Sequence, residues 1–196
     1  MLKILGVSGS MRENSNSLKT VQLVLKAAQQ QGATTRVLDL HETDLPMFRA
    51  RGQRVEHGGR DAADEAVSWA EAFLLVTPDY HGSMSGAMKN FLDHYWSEFS
   101  GKLFGYGCVS DEKGLTVMDQ MRTAVRQCYG WSLPYGISVA GDEDFNDAGA
   151  VKNPAFKDRV QMLARDLTIY GSLLRDQFHK DLQSDDSDTF AARYRK

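Results

Sequence analysis

Behind the apolar run Leu2 to Ser8 the chain reads Gly9-Ser10-Met11-Arg12-Glu13-Asn14-Ser15-Asn16-Ser17, and then a helical pattern begins. Hydroxyls, amides and one arginine at the mouth of a helix suit an anion. The first N–H groups of a helix have no intrahelical acceptor and carry partial positive charge. Ser10, Ser15 and Ser17 add hydroxyl donors, Asn16 adds an amide, and Arg12 adds a planar cation. A hydrogen bond to a charged group contributes roughly 1.5–3 kcal/mol, so three or four of them hold a phosphate monoester without a metal ion. Other phosphate loops fit less well. A P-loop needs Gly-Lys-Ser/Thr, which does not occur, and a dinucleotide loop needs a third glycine after Gly6 and Gly9. Asp39 stands near the place of a ribose-binding acid, but without the glycines it carries little. The plainer alternative is that Ser15 or Ser17 caps the helix. That explains one hydroxyl and leaves the other polar side chains without a reason.

A second polar loop follows the run Leu74-Leu75-Val76-Thr77: Pro78-Asp79-Tyr80-His81-Gly82-Ser83-Met84-Ser85-Gly86. Pro78 is expected to close the strand, because it cannot donate to a ladder, and Ser85 to cap the next helix. Backbone N–H and C=O groups of residues 78–83 can match the polar edge of a flat ring, and Tyr80 offers an apolar face beside it. His81 has two readings, a hydrogen-bonding or proton-donating side chain or a loop histidine used through its backbone. His41, His57, His94 and His179 show no metal-ligand spacing, and Cys108 and Cys128 are too far apart for a CxxC site.

The elements that must position these loops alternate along the chain. Strands are predicted over Leu2–Ser8, Thr35–Leu40, Phe73–Thr77, Phe104–Ser110 and Tyr135–Ala140, and helices over 15–31, 61–71, 86–98, 115–129 and 155–180. Such alternation implies a parallel sheet covered on both faces with right-handed crossovers. Five strands fit an α/β three-layer sandwich of flavodoxin-like order 2-1-3-4-5. Ligands then gather at the carboxyl ends of strands 1 and 3, where the winding reverses. A ligand with a phosphate at one end and a planar ring at the other would touch both loops. Met88, Phe91, Leu92, Tyr95, Trp96 and Phe99 form an aromatic-rich stripe for the sheet or a subunit interface.

With 196 residues, one domain over 1–180 and a polar tail over 181–196 are expected. A net charge of -3 argues against nucleic acid as a partner. The chain has no apolar stretch long enough for a membrane and no signal-peptide pattern, and the expectation is a reduced, cytoplasmic protein. Residues 49–60 read as a basic, glycine-containing loop, solvated or lying over the cleft.

The pair of segments GSMRENSNS and TPDYHGSMSGAMKNFLDHYW resembles the two signatures of the NADPH-dependent FMN reductase family of flavodoxin-like oxidoreductases. The resemblance runs through both motifs and the strand–helix order to about residue 140. It implies that Ser10, Arg12, Ser15, Asn16 and Ser17 hold the FMN phosphate and that Pro78, Asp79, Tyr80, His81, Gly82 and Ser83 frame the isoalloxazine. Ser110, opening the loop after strand 4, would reach the far edge of the ring. It further implies NADPH or NADH as co-substrate, a small-molecule electron acceptor (quinone, flavin, azo, nitro or metal ion), and a homodimer or homotetramer. No catalytic side chain and no metal ligand is expected. Asp79 stands where the family has glutamate, His81 where asparagine is common, and Ser85 in place of a proline. Met88 stands in place of leucine. The rival is a flavodoxin-type carrier that binds FMN; such carriers are strongly acidic and -3 is a weak charge for docking on a redox partner. A phosphorylated receiver domain of the same topology would need acids after strand 1, where this chain has serines.

Overall fold

Side chains alternate between the two faces of a strand, and in the central strands of this protein both faces are apolar. Phe73 and Leu75 point into one core and Leu74 and Val76 into the other. A sheet of that kind must be covered twice. The computed structural model describes residues 1–50, 58–146 and 148–194. Its elements are β1 (Lys3–Ser8), α1 (Asn16–Gln30), β2 (Thr34–Asp39), α2 (Gly58–Trp69), β3 (Ala72–Tyr80), β4 (Ser83–Met84), α3 (Gly86–Asp93), β5 (Leu103–Val109), α4 (Leu115–Gln127), β6 (Trp131–Ser132), β7 (Ile137–Val139), α5 (Gly141–Asp144), α6 (Pro154–Gln183) and α7 (Phe190–Tyr194). Of the loop expected over 49–60, residues 51–57 lie outside the described residues and 58–60 begin α2.

β2, β1, β3 and β5 lie side by side in parallel. Helices α2, α3 and α4 pack on one face, α1 and α6 on the other. At Gly6 α1 comes so close that a Cβ would lie 2.5 Å from Val21 Cγ1. The flavodoxin-like order stands, but the expectation of five strands needs correcting to seven. The fifth position is divided. β6 pairs with the start of β5 at Leu103 and Phe104, and β7 pairs with its end at Gly107 to Val109. Pro134, which has no N–H to give, lies in the gap, and because pairing with β5 begins only at Ile137 the strand expected over Tyr135–Ala140 shrinks to Ile137–Val139. β4 is the return arm of a short hairpin on β3.

A second correction concerns Pro78, which lies inside β3 rather than ending it. Val76 presents its carbonyl toward β1, where it accepts from Gly9 N at 2.8 Å. Alternation turns Pro78 to the same side, two residues on, beyond the last paired residue of β1, Ser8. The missing N–H therefore leaves no acceptor without a partner, while Pro78 still aligns with Val109 of β5. The helix predicted over 86–98 is regular only to Asp93 and is followed by a 3₁₀ turn at Ser97–Phe99. Met88, Phe91, Leu92, Tyr95 and Phe99 are nonetheless buried, whereas Trp96 is 61% exposed. The boundary drawn at residue 180 falls inside α6, and Phe190 of α7 packs edge-on against Tyr129 and Phe178. Among the described residues no helix is long and apolar enough to cross a membrane.

Candidate functional site

β1 hands the chain to α1 through the loop Gly9–Ser15. Gly9 extends the ladder by one bond and lies against α3, where a Cβ would meet Met88 Cβ at 3.0 Å and Thr77 Oγ1 at 3.2 Å. Ser10 is buried and its Oγ accepts from Arg12 N at 3.2 Å, which turns the chain. Asn14 takes the left-handed conformation, φ 50°. Ser15 is the N-cap of α1, its Oγ accepting from Leu18 N at 3.1 Å. The capping role is thus real, but it uses one lone pair and leaves the hydroxyl proton to donate. Asn16 accepts from Lys19 Nζ at 3.4 Å and its Nδ2 lies beside Gly141, where a Cβ would come within 2.7 Å of it.

Ser10, Arg12, Ser15, Asn16 and Ser17 line one cavity of about 260 Å³, with Pro78 and Tyr80 on its other side. Seven of the predicted site residues are therefore brought together across the winding reversal. Glu13 also borders this cavity and is exposed. Among the described residues, Arg12 has no acidic partner and the hydroxyl of Ser17, though the residue is buried, makes no hydrogen bond. The first turn of α1 contains no acidic residue, so nothing in it neutralises the positive end of the 15-residue helix.

The second loop is a tight hairpin. Asp79 pairs with Met84 and Tyr80 with Ser83, and the two residues between them, His81 and Gly82, have φ of 58° and 75°. Two consecutive positive φ values are those of a type I′ turn, whose twist matches the strands it joins. Asp79 uses both carboxylate oxygens inside the protein: Oδ1 accepts from Gly82 N at 2.8 Å and Oδ2 from Ser110 Oγ at 2.9 Å. Ser85 caps α3 as expected, accepting from Met88 N at 3.1 Å, and donates to Gly9 O at 2.5 Å. Tyr80 is 40% exposed at the cavity edge.

The remaining predicted residues stand apart from the cavity. His81 and Gly82 form the exposed tip of the hairpin, and the Ser83 hydroxyl turns to Gln120 at 2.9 Å. Ser110 lines a neighbouring cavity of about 600 Å³ between α4, β7 and the start of α6. Its link to the site is the bond to Asp79. Below this junction lies Cys108, whose thiol is pushed up to about 12 by burial and then by the charge of Asp79. Gln120 was not foreseen. Its Nε2 donates to Gly82 O at 3.1 Å and its Oε1 accepts from Met84 N at 3.4 Å. It sits 36 residues beyond Met84, on helix α4 rather than on the hairpin, and only the polar character of that position hints at it.

Comparison with known proteins identifies the family of the chain. The family described as NADPH-dependent FMN reductase matches residues 2–144, a span that contains both loops. An NADPH-dependent FMN reductase, ArsH, of Shigella flexneri is 24% identical over 182 residues, covering 89% of this chain and 70% of that protein. An FMN-dependent NADPH-azoreductase of Staphylococcus aureus is 26% identical over 152 residues, covering 74% of this chain and 79% of that protein. Among solved structures, the flavoenzyme NAD(P)H:acceptor oxidoreductase FerB of Paracoccus denitrificans superposes with a TM-score of 0.74 at 16% identity, over 88% of this chain and 98% of that one. An archaeal flavodoxin superposes with a TM-score of 0.60 at 10% identity, over 88% and 99%. At these identities the structural likeness concerns the fold.

Proposed function

Because the chain belongs to the NADPH-dependent FMN reductase family, we propose that it holds FMN across the two loops and reduces a small acceptor at the expense of NADPH or NADH. In this reading the acceptor is a quinone, a flavin, an azo or nitro compound, or an oxidised metal ion. The observation that carries it is the cavity at the end of β1, where the Arg12 cation and the hydroxyl of Ser17 have no partner among the described residues and the first turn of α1 holds no acidic residue. That donor set fits a phosphate monoester.

Ser10, Arg12, Ser15, Asn16 and Ser17 would bind the phosphate. Pro78, Tyr80 and the hairpin backbone would border the ring, with Asp79, His81, Gly82 and Ser83 shaping that border. Asp79 and Ser110 act on the ring's surroundings by joining the hairpin to the end of β5. The chemistry that FMN supplies when bound is two-electron transfer, hydride in from a reduced nicotinamide and electrons out to the acceptor. No side chain of the site is required as an acid or base. The absence of a separate dinucleotide loop suits a nicotinamide that visits the ring and leaves. The test is direct: protein saturated with FMN should show a bound-flavin spectrum and oxidise NADPH or NADH when given a quinone, azo dye or ferric chelate. Failure with every acceptor would end the reading, and bleaching by added reductase alone would indicate a carrier.

A further inference from the structure

The hairpin beside the cavity is too short to hold its own shape. It has two residue pairs, and an isolated hairpin is marginal even when longer. Its turn also contains a non-glycine residue, His81, in the left-handed region, at a cost of about 1–2 kcal/mol. The restraint must come from outside, and it reaches Gly82 from both sides. Asp79 takes the N–H of Gly82 and Gln120 gives a proton to its C=O. The orientation of the Gln120 amide is determined by its backbone partners, since Gly82 O needs a donor and Met84 N needs an acceptor. Ser83 Oγ donates to the same Oε1. Gln120 is itself carried by a helix anchored in the core through Val117, Met118, Met121 and Val125.

We infer that Gln120 is a positioning residue for the flavin ring: it sets the hairpin backbone in the FMN-free protein, so that the ring meets N–H and C=O groups already in place. The inference rests on the reading that the hairpin borders the ring. Binding to a preset surface avoids ordering the loop at the moment of binding, and loss of the clamp should therefore appear as lost affinity.

The test compares Gln120→Leu and Gln120→Glu with wild type. FMN affinity is measured by fluorescence quenching at pH 8 and pH 5, each ratio taken against wild type at the same pH. An ionised glutamate retains the acceptors but has no proton for Gly82 O, and protonation restores that donor. Both variants should bind FMN about tenfold more weakly at pH 8, as expected for one or two hydrogen bonds. At pH 5 the Glu variant should recover to within about threefold of wild type while the Leu variant does not. In FMN-free protein, amide exchange at Ser83 and Met84 should quicken in the Leu variant and stay unchanged in β1 and β5. Equal loss in both variants with no recovery in the Glu variant would mean that Gln120 only packs, and would overturn the inference. Variants indistinguishable from a wild type that binds FMN would overturn it alone, whereas a wild type that binds no FMN would remove the reading of the site as well.

Discussion

In the Gly9–Ser17 loop polar side chains remain available: among the described residues Arg12 has no acidic partner and the Ser17 hydroxyl makes no hydrogen bond, and Ser15 retains its proton after capping. In the Asp79–Met84 hairpin the opposite holds. Both oxygens of Asp79 and the hydroxyl of Ser83 are engaged within the protein, and the strained turn is clamped by Gln120. On the proposed reading, the difference follows from what each loop would meet. A phosphate is compact, highly charged and symmetric, so mobile donors and a helix terminus serve it. A planar heterocycle has a fixed edge, and rigid backbone groups match it better than side chains that lose rotamer freedom on binding.

That contrast can be broken experimentally, and the largest effect should come from the available side chains. Arg12→Ala should raise the Kd for FMN by about ten- to a hundredfold, the value of one charge-assisted contact. It should leave riboflavin binding and the melting temperature of the FMN-free protein unchanged, because Arg12 is exposed. Titrations with both ligands and a thermal scan check this. On the hairpin side the order reverses. Asp79→Asn removes one acceptor and a charge from two bonds, and should cost about 1–2 kcal/mol of stability in denaturant titrations while weakening FMN binding less than Arg12→Ala.

A smaller, alkaline effect should sharpen the same junction. The unfolded thiol of Cys108 ionises near 8.5, and in the folded protein it is pushed up to about 12, first by burial and then by Asp79. The folded form thus keeps its proton longer. Its contribution is intact below about pH 8.5 and declines as pH rises from there. Cys108→Ala should flatten the fall of stability between pH 8 and 10 whatever it does to the absolute value. The smallest effect belongs to His81→Gly. Relief of the left-handed conformation, offset by chain entropy, should leave a gain of about 0.5 kcal/mol. FMN affinity should not change if His81 acts through its backbone.

Much of this was legible because the physics was local. Ser15 and Ser85 precede helices and cap them, and the alternation of short apolar runs with helical periods led to the parallel order. The effect of Pro78 depends on what lies beside it, and the end of β1 at Ser8 is not written in the strand that contains Pro78. Tyr135-Gly136-Ile137-Ser138-Val139 is apolar enough to read as one strand, whereas pairing with β5 resumes only at Ile137. Gln120 and the Asp79–Ser110 bond are out of reach of the sequence, because each joins segments more than 30 residues apart through side-chain hydrogen bonds alone.

The hydroxyl of Ser85 spans the two loops, giving its proton to Gly9 O while receiving one from Met88 N. In the proposed site, the phosphate end and the ring end would therefore not relax independently. Inorganic phosphate alone, seated at the β1–α1 junction, should slow hydrogen exchange at the opposite loop, and the two halves of a severed cofactor should bind each more tightly in the other's presence.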